Sequence, residues 1–179
     1  MDFQSQNGYK FPTYNEFRST YFRQSFSIPE SIIYYIAKNP SNSKIYQKLI
    51  QTCKYFFITN LILVIHCLRF EENEWKTCTK GPKKIELNKI SFKIWISKKL
   101  VISSTNPKFA SKFISKLYKC DAKEIHFTEQ IISFDEFLFL SNKCKRYFSN
   151  LTTVKLENGK EAPVEDLIEK LSKLQRFYQ

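Results

Sequence analysis

At 179 residues the chain has room for one domain, or for a small module attached to a larger one. Its 42% apolar content suffices for a core, and its three glycines exclude a loop-rich fold. Lysine and arginine outnumber acidic residues 29 to 17, a formal charge of +12 that favours acidic partners, whether nucleic acid or an acidic protein surface. The basic residues are nevertheless dispersed along the chain, and the densest group, Lys80–Lys84, is split by Gly81-Pro82, so solvated faces account for most of them. The opening residues lack the apolar stretch of a secretory signal. The longest apolar run, 61–68, is interrupted by His66 and falls far below the ~20 residues of a membrane span. The expectation is a soluble intracellular chain, in cytoplasm or nucleus, with no membrane contact. Cysteines at 53, 67, 78, 120 and 144 form no Cys-x-x-Cys, and neither His66 nor His126 has a second ligand at zinc-finger distance. Reduced, mostly buried thiols are expected, with no disulfide scaffold, no metal and no cofactor.

In chain order, Thr13-x-x-Glu16 is a capping box, which predicts a helix over Tyr14–Gln24. Phe11, Tyr14, Phe17, Tyr21 and Phe22 recur every three to four residues. Interleaved with Arg18 and Arg23 they could stack bases, but such a stripe reads more simply as core. Ser27-x-x-Glu30 forms a second box opening a helix whose Ile28, Ile32, Ile33 and Ile36 share one face. Asn39-Pro40 stops it, because the residue before proline avoids the helical region. Ser41, Asn42 and Ser43 offer N-caps for a further helix, with Tyr46, Leu49, Ile50, Cys53 and Phe57 as its apolar stripe.

Ile28-Pro29-Glu30-Ser31-Ile32-Ile33-Tyr34-Tyr35-Ile36 resembles the opening of the F-box, aliphatic-Pro-x-x-aliphatic-aliphatic-x-x-Ile. Leu49 followed by Cys53-Lys54-Tyr55-Phe56 resembles its close, Leu-x-x-Val-Cys-Lys-x-Trp. Thr52 stands where that pattern has an aliphatic residue, and Asn39-Pro40 where it has Leu-Pro. With its aromatic lead-in and a turn at Tyr118–Asp121, the chain resembles the F-box-like proteins expanded in nematodes. The resemblance implies that Ile28, Pro29, Ile32, Ile33, Ile36, Tyr46, Leu49, Cys53 and Phe56 meet a Skp-family adaptor or form the small core behind it. It further implies membership of a cullin–RING ubiquitin ligase, of the SCF type, with a protein substrate.

Residues 58–70 extend the second helix or begin another segment, since periodicity cannot separate helix from strand there. A helical module is therefore expected over 1–70, a polar connector holding Trp75 over 71–84, and a strand–helix region over 85–179. In that last region Phe92–Ile96 alternates as a strand, with Phe92, Ile94 and Ile96 on one face. Asn106-Pro107 opens a helix with Phe109, Phe113, Ile114 and Leu117 inward, ending near Cys120. Lys123–Thr128 is the next strand. Ser133-x-x-Glu136 caps a helix with Phe134, Phe137, Leu138 and Phe139 inward. Strands follow at Lys145–Phe148 and Thr152–Leu156, then a turn at Asn158-Gly159. A helix after Pro163 buries Val164, Leu167, Ile168 and Leu171, and a last strand covers Leu174–Tyr178.

The fold class expected is mixed α+β or α/β: an F-box-like helical module followed by short strand–helix units on a mostly parallel sheet. Unit spacings of about 20–30 residues are those of leucine-rich repeats, in degenerate form, and an ordinary βαβ sheet is the alternative. The exposed strand face would recognise the substrate through Lys93, Trp95, Lys123, Glu124, His126 and Arg146, a set that depends on a one-residue register. No phosphate loop, nucleophile elbow or zinc-protease motif occurs. His126 beside Glu124, and the cysteines at 120 and 144, lack the partners that acid–base or nucleophilic work requires. Binding rather than catalysis is the expectation. The alternatives are a basic helix-turn-helix using Lys44, Lys48 and Lys54 on phosphates, and a ligase-independent interaction domain.

Overall fold

The computed structural model describes residues 13–22, 24–78, 83–87, 90–170 and 176–178. Four short helices come first. Helix α1 (Tyr14–Ser19) starts at the Thr13 box: the Thr13 amide donates to Glu16 Oε2 (2.7 Å) and the Glu16 amide to Thr13 Oγ1 (3.3 Å). It ends earlier than Gln24. Helix α2 (Glu30–Lys38) does not use the Ser27 box; Pro29 is its N-cap, with no side-chain hydrogen bond. It stops at Asn39, ahead of Pro40. Helix α3 (Ser43–Thr52) is capped by Asn42, whose Oδ1 accepts from the amides of Lys44 (2.9 Å) and Ile45 (3.2 Å). Cys53 is extended and separates α3 from α4 (Lys54–Thr59). The Thr52 hydroxyl donates back to the carbonyls of Lys48 (3.0 Å) and Leu49 (3.1 Å), competing with continuation of the helix.

The helical region ends at Thr59, not at residue 70. Ile62–Glu71 is strand β1, and the apolar run that opens it, Ile62–Ile65, reflects burial on both faces. Ile62 and Val64 lie under α3, while Ile65, Leu68 and Phe70 enter the main core. A register shift between Ile65 and Cys67 changes which positions face that core. The first part of the expected connector belongs to the sheet as well: β2 (Glu74–Thr77) folds back on β1 through Glu72 and Asn73, both at positive φ as a type I′ turn requires. Leu68 pairs with Thr77, so Cys67 stands opposite Cys78, and the two form a disulfide. The expectation of five reduced thiols is corrected by this hairpin, which no sequence spacing announced. Cys53, Cys120 and Cys144 are free and buried.

Strand β3 (Lys93–Ser103) is longer than expected and buried on both faces in its first half. After α5 (Phe109–Ile114) comes β4 (Leu117–Cys120), so Leu117 and Cys120 lie in a strand rather than at a helix end or in a turn. Then follow β5 (Glu124–Thr128), β6 (Ile131–Ser133), α6 (Phe134–Ser141), β7 (Arg146–Asn150), β8 (Thr153–Lys155), α7 (Val164–Lys170) and β9 (Arg176–Tyr178). The Ser133–Glu136 box forms. In α6, however, Phe137 and Leu140 are the buried pair, while Leu138 and Phe139 face solvent, since the helix is too short to bury more than one face. Likewise Leu167 is buried and Ile168 exposed. Leu171 lies outside the described residues.

Among the described residues the main sheet runs β2-β1-β3-β5-β7-β9, with β4 beside β3. Every pairing in it is parallel except the β1–β2 hairpin. Past that hairpin β1, β3, β5, β7 and β9 lie side by side in chain order, without the reversal of order found in doubly wound sheets. A second, two-stranded parallel sheet, β6–β8, repeats the same succession. Glu129 and Leu151 both turn the chain at positive φ, just before β6 and β8. The next residues, Gln130 and Thr152, 22 positions apart, hydrogen-bond across the corner. Leu68, Leu100, Ile125, Tyr147 and Phe177 form one register row whose members enter the main core. Gln130 is fully buried and satisfied: its amide donates to Ser104 O (2.8 Å), Thr128 O (3.0 Å) and Glu129 O (3.1 Å), and its carbonyl accepts from Ala110 N (2.9 Å).

Two substitutions test this packing in opposite directions. Phe137→Ala, at 0% exposure, is expected to lower unfolding free energy by about 3–5 kcal/mol in urea titration. Leu151→Gly, at an exposed left-handed corner, is expected to raise it by about 0.5–1 kcal/mol, because the backbone penalty removed exceeds the added chain entropy.

Candidate binding faces

Two solvent-facing surfaces stand out. The first is on α2. At about 100° per residue, Ile32, Tyr35 and Ile36 share one side of the helix and Ile33 and Ala37 the other. Burial follows that division. Ile33 (4% exposed) and Ala37 (0%) pack with Cys53 and Phe56 in a small core, with Leu49 partly buried against it. Ile28 (46%), Ile32 (49%) and Ile36 (37%) face solvent, as do Tyr35 and Pro29. Large apolar groups left out of the core in one stripe mark an interaction surface. Cys53 is held by a bond from its Sγ to Gln24 Oε1 (2.9 Å).

Tyr46 does not belong to this surface. It is buried, its hydroxyl donating to Asn60 O (2.6 Å) and Phe56 O (3.3 Å), its ring 6.3 Å from that of Trp95. Burial, and to a lesser degree neighbouring Tyr118, pushes its pKa up. An i, i+3, i+4 stripe does not say which partner it meets, and here α3 meets the sheet. Tyr35 and Ile45, both exposed, were missed by sequence reasoning. Tyr35 was recoverable, since it lies three positions after Ile32. Lys54 of the helix-turn-helix alternative reaches back to the Thr20 carbonyl (3.2 Å) instead of standing free.

The second surface is the sheet face opposite the main core. Trp95 is fully buried on it, alternating with Ile94 and Ile96 and packed with Tyr46, Ile62 and Val64. Its indole donates to Asp121 Oδ2 (3.1 Å), and Lys143 pairs with Asp121 Oδ1 (3.1 Å). Trp95 is therefore a structural contact for α3 and cannot touch a substrate. Lys93 is exposed but bonded to Ser115 O (3.0 Å), at the same covered end.

Beyond α3 the face is open. Register aligns Lys99, Glu124, Arg146 and Arg176 in one row, and Val101, His126, Phe148 and Tyr178 in the next. Glu124 collects Lys99 and His126 on Oε1 and Arg146 on Oε2, with His126 Nε2 at 2.8 Å as donor. Burial raises the Glu124 pKa, but the Lys99 and His126 hydrogen bonds with the Lys99 and Arg146 charges outweigh it, so the carboxyl titrates below its usual range. For His126 burial is the largest effect and lowers the pKa. Lys99 and Arg146 add to it, and the Glu124 contact only partly offsets them. The sequence-expected Glu124, His126 and Arg146 are thus brought together, whereas Lys123, exposed just ahead of β5, has the strand parity of inward Ile125 and falls on the other side of the sheet. Lys99, Phe148, Arg176 and Tyr178 were missed, though each occupies the same position of its strand as an expected residue.

Burial pushes the Cys120 thiol up to about 12 and the Cys144 thiol up to about 11, so both stay protonated at neutral pH. Among the described residues no three His, Cys, Asp or Glu side chains are placed to hold a metal ion, and no helix is long and apolar enough to cross a membrane. No protein-family model, curated protein or solved structure matches the chain.

A neutral His126 gives a sign to the pH dependence. Its folded pKa lies below the unfolded value of about 6.5, so the unfolded chain takes up protons first and stability falls as pH drops below that value. Urea unfolding between about pH 7.5 and 5 should show this loss, and His126→Gln should flatten it. Coincident slopes for the two proteins would remove His126 as the source.

Proposed function

We propose that the chain is an F-box-like substrate-recognition adaptor, binding a Skp-family protein within a cullin–RING ubiquitin ligase in cytoplasm or nucleus and presenting a protein substrate. The supporting observation is the division of α2: Ile33 and Ala37 inward, and Ile28, Pro29, Ile32 and Ile36 exposed. The four exposed residues are among the nine that the resemblance assigns to adaptor contact or to the small core behind it; Ile33, Cys53 and Phe56 lie in that core and Tyr46 packs on the sheet. Three short helices, α2, α3 and α4, hold that stripe against a core of only a few side chains, so the outward apolar surface is large relative to what the module buries. Such a stripe gains by transferring its apolar area, roughly 25 cal/mol per Å², from water to a partner.

The strand–helix units fit the second half of this reading as leucine-rich-repeat-like units. Their parallel strands follow one another in chain order, and their corners recur at Glu129 and Leu151. Stacked units of this kind build a continuous open strand face. Substrate recognition is assigned to that face around Glu124, His126 and Arg146.

The test is direct binding of a purified Skp-family adaptor by titration calorimetry. Replacing Pro29 and Ile32 together with alanine is expected to leave far-ultraviolet circular dichroism and urea stability nearly unchanged, because both side chains are exposed. Adaptor affinity is expected to fall by about 2–4 kcal/mol, roughly thirty- to a thousand-fold. Wild-type affinity retained in the folded double variant would refute the assignment.

A further inference from the structure

The Cys67–Cys78 bond lies where solvent reaches it and where the fold needs it least. Leu68 and Phe70 of β1 and Trp75 of β2 enter the main core, so Cys67 and Cys78 take the alternate positions and share the open face. Cys78 is exposed and Cys67 half-buried. The hairpin that carries them is closed by other means. Four ladder pairs join β1 to β2. Trp75 is buried, its ring 5.0 Å from that of Phe70 and 4.4 Å from that of Phe113. The Thr77 amide donates to Lys83 O (3.0 Å) and the Ile85 amide to Trp75 O (2.8 Å). A cross-link spanning 11 residues also gains less through chain entropy than one that joins distant segments.

The other three cysteines are unlike this pair. Cys53, Cys120 and Cys144 are free and buried, so thiol exchange on the folded chain is confined to Cys67 and Cys78. The backbone keeps those two within reach of each other whether or not they are bonded. Their Cα atoms are 5.4 Å apart, the separation of directly opposed residues on antiparallel strands. Register therefore holds the sulfurs together, and a dithiol formed in place re-forms the same bond.

We propose that Cys67 and Cys78 are a reversible redox couple, opened and closed by a small thiol of the glutathione kind while the rest of the fold stays intact. The inference goes beyond the adaptor reading and does not rest on it. The thiolate of the small thiol attacks the exposed Cys78 Sγ. The protein S–S bond breaks, and its electron pair leaves on Cys67 Sγ, which takes up the proton that the attacking thiol released. A second small thiol then attacks the first one's sulfur in the mixed disulfide and frees the Cys78 thiol. One protein disulfide is thereby reduced and two small thiols are oxidised to their disulfide. That small disulfide is the oxidant for the reverse sequence. The couple stands at one end of a register row that continues through Lys99, Glu124, Arg146 and Arg176, so its state alters the border of the open face.

The test follows reduction of the folded full chain by glutathione, with acid quenching, alkylation and mass spectrometry to locate the thiols. Cys67 and Cys78 are expected to become alkylated together, at least about tenfold faster than Cys53, Cys120 and Cys144. Phe137→Ala raises the unfolded population more than about a hundredfold, yet is expected to change the rate of reduction less than about twofold, because attack on an exposed sulfur needs no unfolding. Glutathione disulfide should restore the bond. Cys67→Ser/Cys78→Ser should keep the wild-type far- and near-ultraviolet circular dichroism. A rate that rises with the unfolded population, alkylation of all five cysteines at one rate, a bond that does not re-form, or an unfolded double variant would each overturn the inference.

Discussion

The long parallel strands of the main sheet bury their inner faces only beside one another. Leu68, Leu100, Ile125, Tyr147 and Phe177 occupy one register row, each backed by the next. A buried side chain of this size contributes roughly 1.5–3 kcal/mol only if its neighbour excludes water from it. Tyr147 shows the dependence: its ring stacks on Phe177 at 5.6 Å and meets Phe137 edge-on at 5.4 Å, joining β7, β9 and α6. The corners at Glu129 and Leu151 serve the same end. Each accepts a left-handed backbone so that the chain can leave the main sheet and start the short strand beside its neighbour. Gln130 removes the remaining cost of such a corner by bonding the carbonyls that turn inward there.

The helices join this stack through very few side chains. Tyr46 of α3 bonds the Asn60 carbonyl, and Asn60 Nδ2 donates to Ala37 O (3.1 Å) at the end of α2. The Tyr46 ring then lies on Trp95, which is fixed from the sheet side by Asp121. One buried tyrosine thus ties three helices to the first two long parallel strands. In the proposed reading this junction has a consequence for function. The adaptor stripe and the strand face around Glu124 sit on parts of the chain connected by buried hydrogen bonds rather than by a free linker, so a substrate is held at a set position relative to the ligase.

Much of the local structure was legible in the sequence because it is decided locally. The boxes at Thr13 and Ser133, the Asn42 cap and the stop before Pro40 depend on residues within one turn. The strands at β3, β5, β7 and β9 follow from short alternating runs. The failures lie where distant packing decides. Residues 62–65 are apolar on both sides because α3 covers one face and the core the other, and such a run has no period to read. Tyr46 shares its helical stripe with Leu49, yet packs on the sheet. The stripe of α2 was readable as a face, but its exposure follows only from the small size of the core behind it. The Cys67–Cys78 pair depends on a type I′ turn at Glu72-Asn73, whose residues are not the Asn-Gly or Asp-Gly that usually signal one.

The charge pattern is the clearest case of information present in the sequence but unreadable along it. Lys98, Lys123 and Lys145 are far apart in the chain and look like scattered solubilising residues, which is how dispersed lysines read by composition. Their separations match the steps between β3, β5 and β7, so the same periodicity that stacks Leu100, Ile125 and Tyr147 inward stacks Lys98, midway along β3, beside Lys123 and Lys145 just ahead of β5 and β7. A solvated surface gains nothing from such coincidence, since like charges a few ångströms apart repel. The register that buries the core therefore also concentrates the charge. Any change that shifts a strand by one residue would disperse the basic row and expose the inner row together.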